Sequence, residues 1–364
     1  MAKDIRTYHE QAFIDNTLRL REVLQTMPPF VKDYFRAIEP TTSAKTRISY
    51  AYDIRVFFRF LMENNPVYRN YTLNQFQPAD LERVEPVDLE EYLEYLKVYH
   101  SDDDKQITNS EKGIARKLSA LRSFYTYYYR HQVITKNPTD FVDMPKIHEK
   151  AIVRLDTDEV AILLDYVENC GATLTGQKKV YYEKTKERDL AIITLLLGTG
   201  IRVSELVGLN IDDVDFRNNG LHLIRKGRKE MTVYFGNEVA DALEQYIEGS
   251  RKLIIPKEGH EDALFYSMQR RRIGVQAVQN LVKKYAKEVT PLKKITPHKL
   301  RSTYGTALYQ ETDDIYLVAE VLGHSDVNTT RKHYAAMSDT RRRQAAGKVV
   351  LRESVSHDSE DSNS

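Results

Sequence analysis

The chain has 364 residues, 41% of them hydrophobic, with a formal net charge of +1 and a mean hydropathy of −0.54. That length accommodates two domains with separate cores, and the longest apolar run, residues 190–197, is far too short to span a membrane. A single cysteine, Cys170, excludes an intramolecular disulfide and a thiolate metal cluster, and the first residues lack the apolar core of a signal peptide, so a cytoplasmic protein without membrane contact is expected.

The first part of the chain reads as helices. Residues 11–25 form an early one. Residues 42–62 carry Ile48, Tyr52, Ile54, Val56, Phe57, Phe60 and Leu61 near helical spacing, behind the cap chemistry of Pro40-Thr41-Thr42-Ser43. Residues 87–98 repeat the pattern with Leu89, Tyr92, Leu93 and Leu96, and place acids on the other face. Residues 107–131 open with Thr108-Asn109-Ser110-Glu111 and align Ile114, Leu118, Leu121 and Phe124 on one stripe. Glycine is nearly absent and no alternating strand pattern appears, so this domain is predicted to be all-α. Pro138 and Pro145 then stop the last helix and open an extended connector. The expected organisation is an N-terminal extension over 1–24, a helical domain over 25–137, a linker over 138–152, a second domain over 153–346 and a C-terminal segment over 347–364. That last segment ends in a polar, acidic tail unsuited to burial.

The second part mixes helix with a small sheet. Thr157-Asp158-Glu159-Val160 begins a capped amphipathic helix. An apolar helix over 189–197 is ended by Gly198 and Gly200, and a Tyr-rich linker over 178–186 precedes it. A short helix carries Arg202 to Leu206. Asn218-Asn219-Gly220 is a hairpin turn between strands over 214–216 and 221–224, and a second hairpin with Gly227 in its turn leads to a strand over 231–235. Helices over 239–249, 275–288, 297–311, 315–322 and 329–336 complete the pattern. The predicted fold class is mainly α with a small antiparallel sheet: an all-α domain followed by a mixed α/β domain.

Several residues carry potential chemistry. Arg202 sits at the first turn of its helix, where the dipole prefers acids; a ligand-directed guanidinium explains that, and so does an ion pair to Glu205, and the two are compatible. His298 and Arg301 are three apart and share a helix face. Lys226 lies in the basic hairpin Arg225-Lys226-Gly227-Arg228-Lys229, where plain solubility is the competing explanation. Gly323-His324 ends one helix and the next bears Tyr334, one of 24 tyrosines. A phenol with pKa about 10 is a useful nucleophile only beside cations and a base.

Gly200-Ile201-Arg202-Val203-Ser204-Glu205-Leu206, the Lys226 hairpin, His298-Lys299-Leu300-Arg301, Leu322-Gly323-His324-Ser325-Asp326 and Tyr334 together resemble the tyrosine recombinase (phage integrase) family, Xer-type enzymes and element integrases above all. The resemblance covers residues 150–346 as the catalytic domain and the helical part as a core-binding domain. It implies that Arg202, Arg301 and His324 grip the scissile phosphate, Tyr334 attacks it, Lys226 protonates the leaving 5′ oxygen and His298 acts as general base. No cofactor or metal is implied, because the phosphotyrosyl ester retains the energy needed for resealing. Ser302 stands where many relatives have a second histidine, and the run from His324 to Tyr334 is one residue longer than in typical Xer proteins.

The resemblance also implies double-stranded DNA with inverted-repeat sites as partner, a homotetramer on two sites, and accessory proteins as further partners. Lys45, Arg47, Arg55, Lys112, Arg116, Lys117 and Arg122 on the helical domain are the expected phosphate contacts, with a solvated face as the alternative. The apolar stretch 345–351, behind basic 341–343, resembles the family's element that docks on a neighbouring protomer, with packing against its own domain as the alternative. Two rival functions use the same features: a topoisomerase-like nicking and resealing enzyme, and a non-catalytic DNA-binding protein of this fold.

Overall fold

In a computed structural model of the protein, residues 8–101, 103–148, 153–225, 229–324 and 327 are described. The chain divides into two compact units, Met1–Lys150 and Ala151–Ser364. No helix among the described residues is long and apolar enough to cross a membrane.

The first unit contains α1 (Tyr8–Gln25), α2 (Val31–Ala37), α3 (Ala44–Asn64), α4 (Pro78–Glu82), α5 (Pro86–Tyr95) and α6 (Glu111–Arg130). Ser43 and Ser110 cap α3 and α6, accepting from the Thr46 and Gly113 N–H groups at 3.2 and 3.4 Å. Leu20, Val23 and Leu24 of α1 belong to the same core as α3 and α6. That core is aromatic. Tyr34 meets Phe124 edge-on with centroids 5.3 Å apart, and Phe57 meets Tyr92 at 5.2 Å. Two of the tyrosines also hydrogen-bond within the unit: Tyr34 donates to Ser123 Oγ and Tyr128 to the Phe30 carbonyl, both at 2.9 Å. The unit is not wholly helical. β1 (Val98–His100) and β2 (Gln106–Thr108) pair antiparallel, Tyr99 opposite Ile107, in strands too short to display the alternation that sequence reading relies on.

Asp53, in the middle of α3, is 1% exposed. Its Oδ1 accepts from Lys117 Nζ and from Arg116 Nη2, each at 2.9 Å, and Oδ2 pairs with Arg116 Nη1. Lys117 is itself buried, and Asp53 is its ion-pair partner.

The second unit runs α7 (Thr157–Asn169), α8 (Gly176–Thr199), α9 (Val203–Gly208), β3 (Val214–Asp215), β4 (Gly220–Arg225), β5 (Lys229–Tyr234), α10 (Asn237–Tyr246), α11 (Val275–Val289), α12 (Pro297–Thr312) and α13 (Ile315–Leu322). The three strands form an antiparallel sheet in the order β3-β4-β5, with Leu221, Leu223 and Val233 buried on one face. Residues 178–186, expected as a linker, are instead the first turns of α8. Their polar, exposed face hides the periodicity, while Tyr182 and Thr185 are buried and extend the inward stripe of Ile192 and Leu196. Asp189 anchors α8 from inside: its Oδ2 accepts from Tyr285 Oη of α11 at 3.0 Å, and its Oδ1 from Arg188 Nε at 3.0 Å.

Replacing Asp53 by alanine strands the Lys117 ammonium in the core. The expected cost is about 3–5 kcal/mol in the unfolding of the first unit, followed by circular dichroism in urea, and adding Lys117→Met should recover part of it. A loss below about 1 kcal/mol, the range of exposed pairs, would mean that the pair is hydrated and not structural.

Candidate active site

α8 ends because Gly200 turns the backbone left-handed, with φ 62°. A Cβ there would stand 2.4 Å from Tyr304 Cδ1 of α12 and 2.9 Å from Leu322 Cδ2 of α13, so both helices close on this turn and only glycine fits. Arg202 follows as N-cap of α9. Its N–H donates to Glu205 Oε2 at 2.7 Å and its Nη1 to Glu205 Oε1 at 2.8 Å. The ion pair weighed from the sequence therefore exists, yet it leaves the Arg202 side chain 38% exposed. Glu205 aims the guanidinium without consuming it.

Opposite lies the C-terminus of α13. Gly323, at φ 60°, builds a Schellman turn in which Gly323 N–H donates to the Glu320 carbonyl at 2.8 Å and His324 N–H to the Ala319 carbonyl at 2.9 Å. A helix leaves its last carbonyls without intrahelical partners. Here arginines fill the gap. Arg225 Nη2 donates to the Val321 carbonyl at 2.8 Å, Arg301 Nη2 to that of Leu322, and Arg202 Nη2 to that of Gly323 at 3.1 Å. Arg301, 4% exposed, also donates through Nη1 to the Gly200 carbonyl. Three guanidiniums from β4, α9 and α12 thus hold successive carbonyls at the negative end of a helix dipole. The next residue is half-buried His324.

The structure brings together Arg202, Arg301 and the backbone of His324. His298 is exposed on the first turn of α12, behind Thr296 and Pro297, three residues before Arg301. Lys226 and Tyr334 lie outside the described residues, as does the 345–351 stretch. Arg225 pairs with Lys229 across β4 and β5. In the sequence Arg225 reads only as part of a basic turn. Period-two alternation held a better signal, since it shares the inward register of Leu221 and Leu223, and its side chain is 8% exposed. Burial pushes its pKa below the usual arginine value; Glu205 opposes that shift and Arg202 adds to it.

The cationic face expected on the first unit is smaller than the sequence implies. Arg47 is buried and paired to Glu39 at 3.0 Å, Lys117 is buried against Asp53, and Arg122 donates to the Val142 carbonyl. Arg47 and Lys117 serve the fold, a correction to their expected exposure, whereas Arg122 is half-buried. Lys45, Lys112 and Arg116 are exposed, and Arg55 is half-buried over the Tyr52 ring. Arg55, Arg59 and Arg116 line a cleft of about 310 Å³.

Planar guanidiniums beside a histidine suit an oxyanion that gains charge during phosphoryl transfer. Comparison with known proteins agrees. Residues 153–341 match the phage integrase family, and residues 31–132 match the phage integrase N-terminal SAM-like domain. The tyrosine recombinase XerC of Caldanaerobacter subterraneus subsp. tengcongensis is 35% identical over 335 residues, 89% of this chain and 87% of its own. The tyrosine recombinase XerD of Oceanobacillus iheyensis is 31% identical over 303 residues, 83% of this chain and 91% of its own. Among solved structures, the Tn1549 transposon integrase in complex with transposon right end DNA shares the fold with a TM-score of 0.61, at 23% identity over 87% of this chain and 98% of that one. The XerH recombinase bound to difH substrate gives 0.57 at 19% identity over 84% and 79%. The chain belongs to the phage integrase family of tyrosine recombinases.

Because Glu205 orients Arg202 through two hydrogen bonds, Glu205→Gln should lower single-turnover DNA cleavage by about 10²-fold, the cost of a small misplacement at a reacting centre. Duplex binding in a mobility shift should be unchanged. Cleavage at the wild-type rate would show that Arg202 needs no such alignment.

Proposed function

We propose that this recombinase exchanges DNA strands at specific sites through a covalent bond to Tyr334. The observation that carries the reading is the convergence of Arg202 and Arg301 on adjacent carbonyls directly before His324. A scissile phosphate beside that turn meets both guanidiniums and the imidazole. Tyr334 then attacks phosphorus, with His298 as the base that takes the phenol proton. The bond from phosphorus to the 5′ oxygen breaks, and Lys226 gives its proton to that oxygen. A 3′-phosphotyrosyl ester remains. Attack by a partner strand's 5′ hydroxyl reverses the chemistry and joins the new strand, with no net change in phosphoester bonds.

The partner is double-stranded DNA, read as inverted repeats, and a homotetramer on two sites is the assembly that strand exchange requires. The relatives named for Xer recombinases and for a transposon integrase support recombination over simple nicking and resealing. On the first unit, Lys45, Arg55, Lys112, Arg116 and Arg122 are the phosphate contacts that burial leaves eligible.

Incubating the full chain with a nicked duplex bearing its recombination site, selected from a random-sequence library, should yield a protein–DNA adduct that survives denaturation. Tyr334→Phe should bind equally and give no adduct. An adduct from the Phe variant would remove Tyr334 from its role.

The first unit offers a separate check. Lys112→Ala should reduce the slope of log affinity against log salt by about one, whereas Lys117→Met, altering a buried charge, should leave the slope alone. Anisotropy titrations over a salt series measure both, and an unchanged slope for Lys112→Ala would take that residue off the DNA.

A further inference from the structure

We infer that Arg225 is a positioning residue for strand cleavage: it fastens the end of the hairpin containing Lys226 to the turn of α13 that precedes His324. This rests on the reading of Lys226 as a participant in cleavage. Arg225 is the last residue of β4 and the one before Lys226. Its Nη2 donates to the Val321 carbonyl at 2.8 Å and its Nη1 reaches the Glu320 carbonyl at 3.5 Å. Its Nε, buried and without a hydrogen bond, faces Glu205 Oε1 at 3.8 Å. One side chain therefore joins β4, α9 and α13.

Space has been left for it. A Cβ on residue 323 would stand 1.7 Å from Arg225 Nη1, so Gly323 serves the guanidinium as well as the left-handed turn. Packing alone does not explain an arginine here. A buried cation next to Arg202 is costly, and a methionine would fill the volume at less expense. The planar fork is what an apolar side chain, or a lysine, lacks.

The consequence falls on Lys226. Lys226 follows Arg225 directly in the chain, and Arg225 is paired with Lys229, so holding the strand end restrains the point from which the lysine departs. A proton donor must come within hydrogen-bond reach of the leaving oxygen. The anchor supplies that precision from the helix end that holds the phosphate-binding arginines.

The test is a double-variant cycle on the full chain, with single-turnover cleavage of the selected nicked duplex as readout, and with mobility shift and thermal unfolding as controls. Arg225→Met should lower cleavage by about 10²-fold, but by less than about threefold when Lys226 is already alanine, since a positioning effect transmitted through Lys226 vanishes with it. Equal losses in both backgrounds, or no loss in either, would overturn the proposal. Arg225→Lys, which keeps charge and stem but not the fork, should behave like Arg225→Met; a wild-type rate with lysine would also overturn it. If Arg225→Met does not fold, Arg225→Lys runs the same cycle. A second substrate separates this inference from the role given to Lys226. With a 5′-bridging phosphorothiolate, whose sulfur leaves without protonation, both Lys226→Ala and Arg225→Met should return to within about tenfold of wild type, and Arg202→Ala should not. Failure of Lys226→Ala alone to recover would refute the general-acid role, while the double-variant cycle would still decide on Arg225.

Discussion

The catalytic unit is organised around one helix end. The final carbonyls of α13 need donors that the helix cannot supply, and the fold answers with arginines from three other elements. Every other feature of the site follows from that demand. Gly200 must be glycine because the helices bearing Tyr304 and Leu322 close on it, and its carbonyl becomes the second acceptor for Arg301. Gly323 suits this turn because its φ is left-handed, and a Cβ there would have to displace the Arg225 guanidinium. Helix-dipole attraction and charge-assisted hydrogen bonds offset the repulsion between like charges crowded together. Glu205, bonded to Arg202 and facing Arg225, lowers that repulsion further.

The first unit solves a related problem with opposite sign. Asp53 is an acid buried in the middle of α3, and Arg116 and Lys117 from α6 neutralise it. Around it the core is built of aromatic rings, and the Tyr34 and Tyr128 hydroxyls hydrogen-bond within it. The pair ties α3 to α6, the two helices that carry the eligible DNA-contact residues. An ion pair of this kind adds little net stability over a well-packed apolar replacement, whereas removing one partner alone is costly.

Much of this was legible in the sequence. A helix end was readable where a cap residue preceded an apolar stripe, as at Thr296, and the Asn218-Asn219-Gly220 turn was readable from its chemistry, whereas the helix expected over 107–131 begins only at Glu111 behind Ser110 because 107–108 belong to β2. The order of Arg202, His298, Arg301, His324 and Tyr334 was readable through resemblance, and the Arg202–Glu205 pair from spacing. What escaped had physical reasons. The start of α8 is polar on its outer side and read as a linker; β1 and β2 are too short for a period to show. Arg47 and Lys117 read as surface charge because their acidic partners, Glu39 and Asp53, lie elsewhere in the sequence or on another helix. Arg225 hid in a basic run, although its strand register already pointed inward.

The acceptors at the end of α13 are backbone oxygens, and this shapes how the site can diverge among descendants of the chain. Glu320 is exposed and Val321 half-exposed, so selection on the arginine contacts is almost blind to the identity of either side chain. It is acutely sensitive to the length of the helix. Deleting or inserting one residue between Ile315 and Leu322 rotates the following carbonyls by about 100° and withdraws every acceptor at once. Drift in this segment should therefore accumulate as substitutions and scarcely ever as insertions or deletions.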